Sequence, residues 1–332
     1  MTEPRLAAQL EPSVPPAPVV GRLAPSPTGL LHLGHARTFL CAWWSARSQA
    51  GRVVLRLEDL DGPRTSGRFS DAAQRDLEWL GLDWDGAPSV QSEHLARFAQ
   101  AVDTLLAAGK AYACVCTRGD LRTAQNAPHA GDSEPRYPGT CRGRFASLAE
   151  AERASGRAPG VRLIVPSGPV RIDDALAGPQ SFDVAAEVGD FLIARRGGAP
   201  AYQLAVVVDD AAEGVTEVVR GADLLPSAAR QWHVQAALGL PHPTYCHVAL
   251  VTDEHGERLA KHTDALSLAE LRARGADPRA IVRWAAASFG LPSEELVAAR
   301  ELVPHFRLSA LEDGPVHADR SLIARLTATP SH

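Results

Sequence analysis

Val19-Val20-Gly21-Arg22-Leu23-Ala24-Pro25-Ser26-Pro27-Thr28-Gly29, with His32-Leu33-Gly34-His35 close behind, is the stretch on which the fold turns. Val19 to Ala24 has the short apolar, β-branched character of a buried strand. Two prolines and a glycine break it, and the apolar periodicity from Gly34 to Gln49 predicts a helix. Arg52 to Leu57 predicts a second strand that ends at Glu58-Asp59. Strand, crossover helix and strand open a parallel α/β sheet, whose sites form beyond the carboxyl ends of the strands. Helices are expected over 66–80 and 94–108.

Farther out the texture changes. From 111 to 189 there are short apolar runs, a cysteine cluster and a polar loop, the pattern of an α+β insertion. Strand signals resume at Asp190–Ala194, Tyr202–Val208 and Tyr245–Val251, with helices near Pro226–Leu238, Leu266–Arg274 and Arg279–Gly290. The expected division is therefore a Pro-rich tail (1–18), a first half of the main domain (19–110), the insertion (111–189), a second half (190–290) and a helical tail (291–332).

The chain of 332 residues is 45% apolar and 22% charged, with a net charge of −5, which excludes global disorder and a strongly basic surface. No run approaches the ~20 apolar residues of a membrane span. The first twenty residues hold five prolines and no signal-like apolar core, so a cytoplasmic protein with no membrane partner is expected. Only two of the 34 basic residues are lysines, Lys110 and Lys261. A lysine kept in so arginine-rich a chain needs a reason, because an ammonium and a guanidinium differ at a phosphate. The five cysteines are odd in number and three are clustered, which points to metal in a reducing compartment and not to a disulfide framework. Cys41 and Cys246 lie in apolar runs and read as core.

There is no Walker A loop and no GxGxxG. Instead, the first strand feeds His32-Leu33-Gly34-His35 at the mouth of a helix. Gly34 lets backbone approach a phosphate closely, the helix N-terminus offers free amides, and His32 and His35 can donate hydrogen bonds as charge develops at phosphorus. Lys261, in the polar segment 256–262, supplies a cation that can clamp a triphosphate from the opposite side. Cys114-Val115-Cys116 with the distant Cys141 can give three thiolates to a tetrahedral zinc.

Together these residues resemble the glutamyl-type class I aminoacyl-tRNA synthetases. The segment 21–29 with His32–His35 is similar to their opening signature. Lys261 is similar to the lysine of their second, KMSKS-type signature, with Arg258 and Ala260 where Lys and Ser are usual. Leu55–Asp61, Tyr202–Asp210 and Arg220–Asp223 fall in the family's order, and the resemblance covers residues 19 to 275. It implies a Rossmann-like catalytic domain with a zinc-bearing insertion, and ATP as substrate, with Mg²⁺. It also implies that Arg22 and Arg220 hold a glutamate side-chain carboxylate and that Glu58 takes the α-amino group, with Ala24, Ser26 and Tyr202 around the ligand. His32, Gly34, His35 and Lys261 would hold ATP. For the structural zinc, one per chain, the resemblance nominates Tyr137 as fourth ligand; His129 is the chemically conventional rival.

The chain ends 71 residues past Lys261, too few for the helical anticodon-binding region of full-length members. The resemblance is thus to the truncated branch, the glutamyl-Q tRNA(Asp) synthetases. It implies that glutamate is activated as glutamyl-adenylate and passed to the queuosine base in the anticodon of tRNA(Asp). Arg136, Arg142, Arg144, Arg195 and Arg196 are candidate contacts to RNA backbone. Two alternatives stay open: a discriminating glutamyl-tRNA synthetase that charges tRNA(Glu) with a separate anticodon-binding partner, and a nucleotidyltransferase that adenylates a small carboxylate without RNA.

Overall fold

The computed structural model describes residues 18–62, 65–117, 119–120, 136–253, 267–292, 294–312, 314–318 and 320–327. Lys261 with Arg258 and Ala260, His129, and nearly all of the N-terminal tail lie outside the described residues. β1 (Val20–Leu23) and β2 (Arg52–Leu57) pair in parallel with Arg22 opposite Val54, and α1 (Leu33–Ser48) crosses between them. After α2 (Gly67–Trp79), β3 (Ser89–Val90) continues the parallel set beside β2, and α3 (Leu95–Ala107) follows.

The chain then leaves this sheet. β4 (Ala111–Cys114) pairs antiparallel with β5 (Gly160–Leu163), and α4 (Leu148–Ser155) lies between them in sequence. β6 (Val170–Asp174) and β7 (Gly178–Phe182) form a hairpin. The short α5 (Val184–Glu187) precedes β8 (Leu192–Ala194), which returns to the other edge of β5. Next come α6 (Tyr202–Glu213), β9 (Glu217–Gly221), α7 (Leu225–Leu238) and β10 (Thr244–Val248). The strands run β7-β6-β10-β9, and both neighbours of β10 are parallel to it. β9 lies against β1: Thr216 N donates to Val20 O at 2.9 Å, and Arg22 Nη1 donates to Val219 O at 2.8 Å. The β6–β7 hairpin, which falls in the segment read as an insertion, thus lies in one sheet with β9 and β10.

Among the described residues, the α-helices that follow are α8 (Leu268–Ala273), α9 (Pro278–Ala287) and α10 (Arg320–Thr327), with β11 (Val251–Thr252) and β12 (Val316–His317) paired in parallel. The two faces of the sheet have separate cores. Leu23, Val53 and Leu55 pack toward α1 and α9, whereas Val20 and Val54 pack toward α3, α6 and α7. The alternation along each strand sends neighbouring residues to opposite faces. Cys41 and Cys246 are buried in the first core, as their apolar surroundings predict.

One element differs in kind from the sequence reading: Tyr202–Val208 is the first half of α6, not a strand. Leu204, Ala205, Val206 and Val207 are all buried, so the run shows no polar face and β-branched content mimics a strand. Tertiary burial overrides that local preference. Gly214, with φ of 72°, ends the helix in the left-handed conformation. The sequence reading has no counterpart for β3, β4, β5, β6, β7, β9 or β12.

The second face also buries charge. Arg56 of β2 is completely buried; its Nη1 donates to Glu213 Oε2 at 2.7 Å, and its Nη2 donates to Asp210 Oδ1 at 2.8 Å and Glu58 Oε1 at 3.3 Å. Burial alone would lower its pKa, but Asp210, Glu58 and Glu213 more than reverse this and hold it well above the usual value. Removing one partner of such a cluster leaves the other charges stranded. Arg56→Leu is expected to lower unfolding stability by about 3–5 kcal/mol in urea denaturation; a loss below about 1 kcal/mol would mean that water already compensates the carboxylates.

Candidate active site and metal centre

His32 is the N-cap of α1, and the cap is unusual in being made by imidazoles. Gly34 N donates to His32 Nδ1 at 3.1 Å, and His32 N donates to His35 Nδ1 at 3.2 Å. A backbone N–H can only donate, so each Nδ1 is the bare nitrogen and each neutral ring carries its proton on Nε2. The ring centroids are 3.8 Å apart. Burial, and next the His32 ring, push His35 down to about 3, so it is neutral at physiological pH. A Cβ on Gly34 would come within 2.9 Å of His32 Cε1, so glycine is what admits the ring into the cap. The turn therefore places two imidazoles at the N-terminus of a helix, a combination suited to phosphate oxygens.

The residues flanking the Lys261 segment also meet this turn. His32 forms an antiparallel bridge with Ser267, and Leu268 N donates to Leu31 O at 2.7 Å. On the other flank, Val251 lies 3.7 Å from where a Gly34 Cβ would stand. Arg37, fully buried one turn into α1, fastens the same region. It donates to Ala249 O at 2.7 Å and to Ser288 Oγ at 2.8 Å, and it stacks 3.8 Å from the Phe289 ring centroid.

Arg22, Glu58, Tyr202 and Arg220 share one neighbourhood. Glu58 follows β2 and is tied to the end of the opening segment by a 3.0 Å bond from its N–H to Pro25 O. Ser26 is exposed and stands 3.5 Å from Glu58 Oε2, with Ala24 half-buried two residues before it. Tyr202, 40% exposed at the first turn of α6, has its phenol pKa raised by burial and next by Glu58, against the pull of Arg220 and Arg22. Burial lowers the Arg22 pKa; Asp210 opposes that, and Arg220 and Arg56 reinforce it. Burial likewise raises Glu58, partly offset by Arg56 and Arg22. Arg22 Nε has no hydrogen-bond partner among the described residues and lies 3.9 Å from Asp210 Oδ1. Arg220 is buried and gives one N–H each to His247 Nε2, Gln231 Oε1 and Leu224 O. Its two remaining N–H groups, one on each Nη, have no partner among the described residues. Two buried guanidiniums and an adjacent carboxylate can clamp a small molecule that carries both an acid and an amine.

The cysteine cluster forms a second centre. The sulfurs of Cys114, Cys116 and Cys141 lie within 4.8 Å of one another. The Tyr137 hydroxyl is 3.5 Å from Cys114 Sγ and 3.8 Å from Cys116 Sγ, and it accepts the Cys141 N–H at 2.9 Å. Tetrahedral zinc with ~2.3 Å bonds to sulfur separates thiolates by about 3.8 Å, so the donor set fits the ion. Burial, and next Cys114, push the Cys116 thiol up to about 12; burial, and next the hydrogen bond with Cys114, raise the Tyr137 phenol, against the Cys141 N–H that lowers it. Arg162 lies 3.7 Å above the Tyr137 ring centroid and donates to Cys114 Sγ at 3.2 Å.

The sequence reading missed the groups that hold these centres in place: Arg56, Asp210, Gln231, His247 and Asp190. Buried Asp190 accepts from Tyr112 at 2.6 Å and from Val165 N at 2.9 Å, and it also pairs with Arg142. Arg142, a candidate RNA contact, pairs with Asp190 while its side chain stays 47% exposed. Arg195 donates to Leu60 O at 2.7 Å and Arg196 to Val115 O at 3.0 Å. Arg136 donates to Ala185 O at 3.1 Å, and Arg144 lies 5.1 Å from the Phe145 ring centroid.

The catalytic-domain family described as tRNA synthetases class I (E and Q) matches residues 18–324. The chain is 43% identical over 317 residues to the glutamyl-Q tRNA(Asp) synthetase of Symbiobacterium thermophilum, covering 92% of this chain and 98% of that protein. It is 42% identical over 315 residues to the enzyme of the same name from Nitratidesulfovibrio vulgaris, covering 92% and 97%. Its fold is similar to that of a glutamate tRNA ligase from Elizabethkingia meningosepticum, with a TM-score of 0.79 at 23% identity over 92% of this chain and 68% of that one. The family match and the relatives agree: the chain belongs to the class I tRNA synthetase family of the E and Q type, alongside the glutamyl-Q tRNA(Asp) synthetases.

Proposed function

We propose that this protein activates L-glutamate with ATP and transfers it to the queuosine base in the anticodon of tRNA(Asp). The reading is supported by the proximity of buried Arg22 and Arg220 to Glu58 and Tyr202. In the first step an α-carboxylate oxygen attacks the α-phosphorus and pyrophosphate leaves. In the second a queuosine hydroxyl attacks the carbonyl carbon of the mixed anhydride and AMP leaves. Arg220 and Arg22 would take the side-chain carboxylate and Glu58 the α-ammonium, with Ala24, Ser26 and Tyr202 completing the walls. Glutamine, with a neutral amide, would leave guanidinium charge uncompensated in a dry site.

His32 and His35 would donate through Nε2–H to the phosphates, with Gly34 at the helix mouth and Mg²⁺ on the triphosphate. Lys261 is the cation assigned to the opposite side; support comes from its flanks, where Val251 and Ser267 meet the His32–Gly34 turn. The second step rests on the similarity to the glutamyl-Q relatives, spread over nearly their whole length. The cysteine centre is read as a structural zinc site held by Cys114, Cys116, Tyr137 and Cys141. Four protein ligands leave no open position, so its role would be to brace a subdomain with a small apolar core of its own.

The deciding experiment is glutamate-dependent labelling of queuosine-containing and queuosine-lacking tRNA(Asp), with tRNA(Glu) alongside. Labelling is expected only with queuosine present; charging of tRNA(Glu) would overturn the transfer step. Arg220→Ala is expected to raise the glutamate KM at least tenfold in pyrophosphate exchange while the ATP KM changes little, and equal effects would move the pocket elsewhere. Metal analysis of protein purified without chelator is expected to give about one zinc per chain, with Cys141→Ser losing most of it.

A further inference from the structure

The side chains of Asp174 and His247 are ionisable and completely buried, and Asp174 stands behind the imidazole that meets Arg220. The sheet register brings them together with Arg220. β9 and β10 pair with Arg220 opposite His247, and β10 pairs with β6 so that Asp174 lies across from Tyr245. Asp174 Oδ2 is 2.6 Å from His247 Nδ1, and Arg220 Nε donates to His247 Nε2 at 2.9 Å. The arginine N–H can only donate, so His247 Nε2 must be bare and its proton must sit on Nδ1, facing the carboxylate.

We infer that Asp174 and His247 form a positioning dyad that fixes the imidazole tautomer and so sets the orientation of the Arg220 guanidinium. The inference deepens the proposed glutamate reading and rests on it. With Nε held by His247, Nη1 by Gln231 and Nη2 by Leu224 O, the fork is oriented before any ligand arrives. Its two unused N–H groups are then presented to a carboxylate without a rotamer search. The Tyr245 ring, stacked on His247 and 5.2 Å from the Arg220 guanidinium carbon, walls the same assembly.

Asp174→Asn tests this sharply because the orientation of the new amide is dictated. Three backbone N–H groups, of Leu176, Ala177 and His247, point at Asp174 Oδ1 at 3.0, 2.9 and 3.2 Å. The amide oxygen must take that place, so its NH₂ faces His247 Nδ1. The ring then moves its proton to Nε2, against the Arg220 N–H. The expected result is a glutamate KM raised at least tenfold in pyrophosphate exchange, with the ATP KM within twofold of wild type. His247→Leu should behave alike, whereas His247→Gln, which can still accept from Arg220, should stay within about threefold.

A glutamate KM of Asp174→Asn within twofold of wild type, a parallel rise for ATP, or equal losses in the two His247 variants would overturn the inference. Nitrogen NMR of the labelled imidazole gives an independent readout: Nδ1–H in the wild type, Nε2–H in Asp174→Asn. No switch would refute the dyad whatever the activity. The switch between wild type and Asp174→Asn, seen together with no glutamate-dependent exchange by the wild type, would count instead against the substrate reading and leave Arg220 without the ligand the dyad is inferred to serve.

Discussion

A guanidinium shut away from water sets the terms for the rest of this molecule. Arg56 reaches from β2 into α6 and neutralises Asp210 and Glu213, and through Glu58 its influence extends to the mouth of the sheet. Burying ions is costly, and each carboxylate here repays that cost only by meeting a cation at close range. The constraint fixes how α6 docks on the strands. Asp209, on the other side of the same helix, is tied to Gln91 and Arg97 at 2.8 and 2.9 Å, so adjacent acids anchor the helix in two directions. Tyr202 at the head of α6 inherits its place from these bonds.

The same economy recurs around each centre. Several side chains proposed to touch a ligand stand on strand ends or helix mouths, with a polar partner behind them. Arg22 leans on Val219 O, Arg220 on His247 and Gln231, and the histidines of the α1 cap on each other's backbone. Around the cysteines, Asp190 gathers Tyr112, Val165 and Arg142, and Gly189 at φ of 73° lets Tyr137 pass. A Cβ on Gly189 would lie 2.3 Å from Tyr137 O. Such an arrangement trades stability for preorganisation, the usual condition for selective binding of charged molecules.

Much of this was legible in the sequence, for identifiable reasons. The unit β1–α1–β2 declared itself because a β-branched run, a Pro/Gly break and a 3.6-residue period follow one another without ambiguity. Cys114, Cys116 and Cys141 were legible because sulfur chemistry is rare and clustered. Tyr202–Val208 misled because a helix buried on nearly every side has no polar stripe to show its period. β6 did carry a signal: Val170–Asp174 alternates buried and exposed, but five residues with two acids at the end are easily passed over. Asp174, His247 and Arg56 were invisible as a class. Their meaning lies in partners 73, 27 and 154 residues away, and no local spacing encodes such pairings.

β1 has neighbours on both edges, and one of them arrives late. β2 follows within a single crossover, but the bond from Arg22 to Val219 spans 197 residues. At a synthesis rate of about 5–20 residues per second, the far edge of β1 stays open on the ribosome for about 10–40 s. An uncovered strand edge of valine and leucine invites pairing with the wrong chain. Crowded translation is therefore a hazard to which this topology exposes the newborn polypeptide.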